Sequence, residues 1–108
     1  MKNKIYREYN IRMEIINREL VDSVRRDDSE RLHNTLRKNK VKHEILVNIL
    51  IFGGQMNSVR CVEYLIMNIR YSEEELERCI EKARMFSNPN VERIINLHKV
   101  RRIINNIN

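Results

Sequence analysis

The sequence predicts an all-α fold, and three observations carry that prediction. Two Gly and one Pro in 108 residues are too few for a β-sandwich or barrel, which turns every 8–12 residues or so. Apolar residues recur at three- and four-residue steps along most of the chain. Short polar segments rich in helix-capping residues separate those stretches. The length suits one domain, residues 1–108, with a modest core.

The first helix is expected over about Lys4–Arg26. Tyr9, Met13, Ile16, Leu20 and Val24 share one face, and Ile5, Ile11 and Ile15 widen it, with a break near Asn10 as the alternative. Asp28 or Ser29 caps a second helix running to Lys38 and marked by Leu32 and Leu36. Glu44–Gly54 is the most apolar run, with Asn48 its polar break. It is shorter than the roughly 20 residues a bilayer requires. Periodicity leaves strand or helix open there, and its neighbours favour a helix covered on several sides. Gly53-Gly54 is expected to end that helix and admit a close neighbour.

Asn57 or Ser58 caps the next helix, whose face is Val59, Val62, Leu65 and Ile66. Ser72 and Glu75 form a capping box for the helix lined by Leu76, Cys79, Ile80 and Ala83. Phe86–Pro89 stops it, and Asn88 caps the last helix with Pro89 at its first position. Val91, Ile94, Ile95, Leu97, Val100, Ile103 and Ile104 carry that helix towards Asn105–Asn108, which are expected to fray.

A longer period underlies the helices. Leu20, Leu50 and Ile80 recur every 30 residues, and Ser23, Gly53 and Ala83 follow the same step. Leu32, Val62 and Ile94 match with a last step of 32, which implies two extra residues in the Met85–Asn88 turn. A large residue fills the core between helix pairs, and a small one a turn later lets helices approach. One hairpin cannot bury its own apolar face, so about three must stack. The middle one is covered on both sides, which explains the apolar Ile45–Phe52.

On these residues the chain resembles the ankyrin repeat family. Glu19–Leu32 is similar to an opening repeat, Asn57–Ile66 to a second ankyrin helix, and Ile80–Ala83 with Val91–Ile95 to a third repeat, over about residues 15–98. The T-P-L-H start is missing, and the 30-residue step is shorter than the usual 33 or so. The residues lost belong to the β-hairpin finger, so long fingers are not expected. The resemblance implies a stack of about three helix-turn-helix repeats with extended N- and C-terminal helices as caps. A generic helical bundle or another α-hairpin repeat is the alternative. Short ankyrin-like chains rich in Asn, Ile and Lys resemble those of large DNA viruses and some parasites, which implies a host-interaction role.

The net charge of +6 and pI near 9.6 permit an anionic partner. One basic cluster is Arg37, Lys38, Lys40 and Lys42, with Arg25 and Arg26 expected nearby in space. The other is Lys99, Arg101 and Arg102. A solvated surface is the plain reading; a phosphate backbone or an acidic protein patch is the functional one. Tyr6, Tyr9, Tyr64 and Tyr71 do not interleave with these cations, which argues against a reader of single strands. Val100, Ile103, Ile104 and Ile107 run past the last repeat and are candidates for self-association.

Catalytic and metal chemistry is not expected, and no cofactor is implied. Cys61 and Cys79 read as buried inert thiols. His33, His43 and His98 lack metal-binding spacing. Glu73, Glu74, Glu75 and Glu77 sit at a helix start, where the dipole favours acids. Without an apolar leader after Met1, a cytoplasmic compartment is expected, with the nucleus as the alternative. The expected function is a non-enzymatic module that binds another protein, with a homodimer through the C-terminal helix. The alternative is a small basic nucleic-acid-binding protein on a helical scaffold. No membrane partner is expected.

Overall fold

Three turns of the same geometry organise the chain. Asp27, Asn57 and Ser87 adopt left-handed φ values of 51°, 55° and 58°. After each, an N–H reaches back to a small residue's carbonyl: Asp28 to Ser23 at 2.8 Å, Ser58 to Gly53 at 3.0 Å and Asn88 to Ala83 at 2.8 Å. These are the six-to-one bonds that close a helix whose next residue is left-handed. The interval is 30 residues at both steps. The two extra residues expected between Met85 and Asn88 do not exist; the register position of Val62 is Glu92, and Val91 and Ile95 are the buried pair.

The computed structural model describes the backbone of residues 2–107. Its helices are α1 (Lys2–Arg25), α2 (Ser29–Lys38), α3 (His43–Met56), α4 (Val59–Asn68), α5 (Glu73–Met85) and α6 (Pro89–Ile107). No strand occurs among the described residues. Within pairs, α1 packs on α2, α3 on α4 and α5 on α6; between pairs, α3 lies between α1 and α5, and α4 between α2 and α6. The result is two layers of helices with extents of 53 × 33 × 24 Å. No helix among the described residues is long and apolar enough to cross a membrane.

Several local expectations need correction. α1 is continuous through Asn10. Gly53 and Gly54 do not end α3, which runs to Met56 with Asn57 as its left-handed cap. They lie in its interior as contact points. A Cβ on Gly53 would stand 2.6 Å from Val62 Cγ2, and one on Gly54 2.8 Å from the Cys79 carbonyl oxygen. Gly53 thus sets the approach within a pair and Gly54 the approach between pairs. Asn105 to Ile107 remain helical, while Asn108 lies outside the described residues. The Ser72–Glu75 capping box forms as read.

The turns also join one pair to the next. The Ser58 hydroxyl donates to the Val24 carbonyl, and 30 residues on Asn88 Nδ2 donates to the Gly54 carbonyl at 2.8 Å. Asp27 accepts from the Cys61 N–H at 2.9 Å and the Arg60 N–H at 3.3 Å. The carboxylate of one turn therefore caps the helix of the next pair, in place of a Ser58 cap. This separates two similar residues. Ser87→Gly relieves a left-handed serine and is expected to raise stability by about 0.5–1 kcal/mol. Asp27→Gly relieves the same strain but removes the α4 cap, so it lowers stability by about 1 kcal/mol. Thermal melts of the two variants check the opposite signs.

Polar substitutions close the outer faces. Val47, Ile51, Gly54, Val62 and Ile66 are buried or half-buried, whereas 30 residues later stand Glu77, Glu81, Arg84, Glu92 and Asn96. Arg84 pairs with Glu92 there. On the opposite face Glu19 and Arg31 replace the buried Ile49 and Cys61; Arg31 Nη2 meets Glu19 at 2.9 Å while its Nη1 binds Asp22.

Candidate functional site

Both terminal helices outrun their counterparts. α3 starts at His43, one interval after Met13, so α1 carries the additional segment Lys2–Arg12, roughly 16 Å of helix. α4 ends at Asn68, one interval before His98, so Lys99–Ile107 prolongs α6 by roughly 13 Å. The first helices run away from the 39–42 and 69–72 connectors and the second helices return to them. Both arms therefore project from the connector end.

The α6 arm is anchored at its base. Lys99 Nζ binds Glu77 Oε1 at 2.6 Å, and Arg102 Nη1 donates to the Tyr71 carbonyl at 3.4 Å. Tyr71 is itself buried, with its hydroxyl donating to the Leu46 carbonyl at 2.8 Å. Burial pushes the Tyr71 phenol far above its usual range. On the face away from the buried Val91 and Ile95, Leu97, Val100 and Ile104 are 48%, 51% and 51% exposed. Their i, i+3, i+7 spacing makes one stripe. Arg93 and Arg101 are exposed beside it.

The predicted self-association residues divide. Val100 and Ile104 belong to the stripe; Ile103 instead lines a groove with His43, Tyr71 and Arg102. The side chain of Ile107 lies outside the described residues. Leu97, expected among the apolar residues that carry α6, is a stripe residue. Tyr9, Ile5, Ile11 and Ile15, expected on the apolar face of α1, are all at least half exposed. Tyr9 and Ile5 sit in the arm, beyond the reach of α2, and Ile11 and Ile15 lie on the outer side of the row.

The basic residues divide as well. Arg37, Lys38, Lys40 and Lys42 lie on α2 and the first connector, at the same end as Lys99, Arg101 and Arg102. Arg70, in the second connector and one interval after Lys40, adds to them. Arg25 and Arg26 do not join this cluster. They sit at the turn end, separated from it by the whole of α2, roughly 15 Å. Arg26 is held by Asp22, 3.1 Å away. Lys99 is half-buried in its ion pair and Arg102 is half-buried on the Tyr71 carbonyl, so Arg101 is the exposed cation of that trio. The sequence signal for Arg70 was its position in the register.

The remaining polar groups serve the fold. Burial pushes the Cys61 and Cys79 thiols up to about 12. Cys61 Sγ donates to the Ser23 carbonyl at 3.5 Å and Cys79 Sγ to the Leu50 carbonyl at 3.2 Å. His33 Nδ1 meets the Tyr64 hydroxyl at 2.9 Å, and His43 Nε2 meets Glu75 at 3.0 Å. Among the described residues no three His, Cys, Asp or Glu side chains gather as metal ligands. No family model matches the chain, and no curated protein or solved structure matches it.

Four carboxyls are held below their ordinary range. For Glu19 the main cause is the Arg31 hydrogen bond. At Asp22 burial acts upward, but hydrogen bonds from Arg31 and Arg26 outweigh it. For Glu75 the cause is the Ser72 backbone N–H and then His43; for Glu77 it is Lys99. A lowered folded pKa adds stability that is present above the unfolded pKa and lost as pH falls through the folded one. The melting temperature is therefore expected to fall steadily from about pH 5 downwards. In Glu19→Gln, melts across that range should show a shallower decline.

Proposed function

We propose that the chain is a non-enzymatic protein-binding module, built as an ankyrin-like stack of three helical hairpins. It presents the Leu97–Val100–Ile104 stripe of α6 to an apolar, acid-rimmed groove on another protein. The observation that carries this reading is the half-exposed stripe on an arm that extends past the last pair. Apolar anchors at this spacing are how an amphipathic helix enters a groove. Arg93 and Arg101 beside the stripe match an acidic rim. The thiols stay protonated near neutral pH, which supports binding rather than nucleophilic chemistry. The resemblance to viral and parasite ankyrin-like proteins favours a host protein met in the cytoplasm.

A second reading, nucleic-acid binding, is favoured by one observation. Arg37, Lys38, Lys40, Lys42, Arg70 and Arg101 are exposed at the connector end. Size exclusion coupled to light scattering, with a mixed DNA and RNA pool, separates the two. The protein-binding reading predicts elution free of nucleic acid at about 0.15 M salt. Co-elution that salt removes, with a slope of about −0.9 per phosphate contacted, contradicts it.

A further inference from the structure

We infer that two copies of the chain pair through α1, antiparallel, about a two-fold axis near Ile11. Three observations lead to this surface and to this occupant, none of which depends on the α6 stripe.

First, the outer side of α1 is an apolar face where its counterparts are covered. Ile11 and Ile15 share that face one turn apart, and Ile15 holds the register position of Ile45, which is half-buried against the core. Here Ile11 and Ile15 are 50% and 56% exposed. Glu8, Ile11, Arg12 and Ile15 line one groove along α1 and α2. The polar closure by Glu19, Asp22 and Arg31 reaches the turn half of this face and leaves the connector half apolar.

Second, the opposite outer face cannot supply the cover. It carries Glu77, Glu81, Arg84, Glu92 and Asn96, so a head-to-tail contact would set apolar Ile11 and Ile15 against charge. A second copy must then bring the same face, which makes the contact isologous and closed. The α6 arm is a poor candidate for this role. From Arg93 onward its charges are Arg93, Lys99, Arg101 and Arg102, with no acid, so two such arms repel.

Third, α1 is charge-complementary to itself. At 100° per residue Glu8 and Arg12 lie on one flank of the Ile11–Ile15 line, and Arg7 and Glu14 on the other. An antiparallel two-fold brings like flanks together. With Ile11 near its mate, Glu8 faces Arg12 of the second copy and Arg7 faces Glu14. Both charge pairs join opposite signs, and one register satisfies both flanks.

The test is light scattering coupled to size exclusion over a concentration series at low salt. The wild-type chain is expected at twice its 13.2 kDa mass. Glu8→Arg and Arg12→Glu each set like charges opposite and should weaken the dimer about tenfold. The double variant E8R/R12E restores opposite signs and should return the affinity to within about twofold of wild type. These residues are exposed, and a thermal melt of each variant confirms folding. Val100→Asp with Ile104→Asp should leave the dimer intact. A wild-type mass of 13.2 kDa at every concentration overturns the inference. So does a dimer that resists the single swaps, a double swap without rescue, or a dimer lost on changing Val100 and Ile104.

Discussion

Leu50→Ala is expected to destabilise the chain by about 3–5 kcal/mol and lower its melting temperature by roughly 15–20 °C. Leu50 is fully buried in α3, the helix that touches α1, α4 and α5. Removing its side-chain methyls loses their transfer energy and leaves a cavity, because neighbours on several sides hold one another apart. Total stability for a small domain is about 5–15 kcal/mol, so roughly a fifth or more of it is at stake. A matching truncation in the arm, Ile104→Ala, should move the melt by less than about 0.5 kcal/mol equivalent. Circular dichroism melts of the two variants measure the contrast. Equal shifts would mean that α3 is not the centre of the core.

Gly54→Ala is expected to destabilise by about 1–2 kcal/mol, against the helix propensity gain of about 1 kcal/mol that alanine brings. The new Cβ would sit 2.8 Å from the Cys79 carbonyl oxygen, and a backbone atom cannot rotate away. Gly53→Ala differs in kind. Its Cβ would sit 2.6 Å from Val62 Cγ2, a side-chain atom that Val62→Ala removes. Gly53→Ala should therefore be destabilising alone and neutral or favourable on a Val62→Ala background. Gly54→Ala should stay destabilising whatever replaces the Cys79 side chain. Double-mutant cycles read both couplings. Rescue at Gly54 by Cys79→Ala would show that the thiol, not the backbone, sets the spacing between pairs.

Much of the helix order was legible because capping chemistry is local. The Ser72–Glu75 box and Pro89 at its helix start depend on residues within a few positions of one another. The 30-residue interval was legible at Ser23, Gly53 and Ala83 because close helix approach demands small residues. It was misread at Ile94, where apolar character was matched instead of the turn. Val91 and Ile95 are the buried residues there, and Glu92, in the place of Val62, pairs with Arg84 on a face that α1–α5 leave uncovered.

Apolar spacing also misplaced the exposed faces. Ile11, Ile15 and Leu97 fit a helical stripe as well as core residues do, and periodicity does not show where the neighbouring helix stops. Arg25 and Arg26 follow the same logic in reverse. They are 12 positions before Arg37 and Lys38 in sequence, but a helix laid between them turns that spacing into opposite ends of the molecule.

The most direct test of the protein-binding claim is photo-crosslinking from the α6 stripe. A photoreactive residue replaces Leu97, with one at the exposed turn-end Asn90 as the control. The predicted result is an adduct to a different protein from position 97, absent from position 90 and persisting at high salt. Adducts to nucleic acid, to a second copy of the chain, or equally from both positions would contradict it.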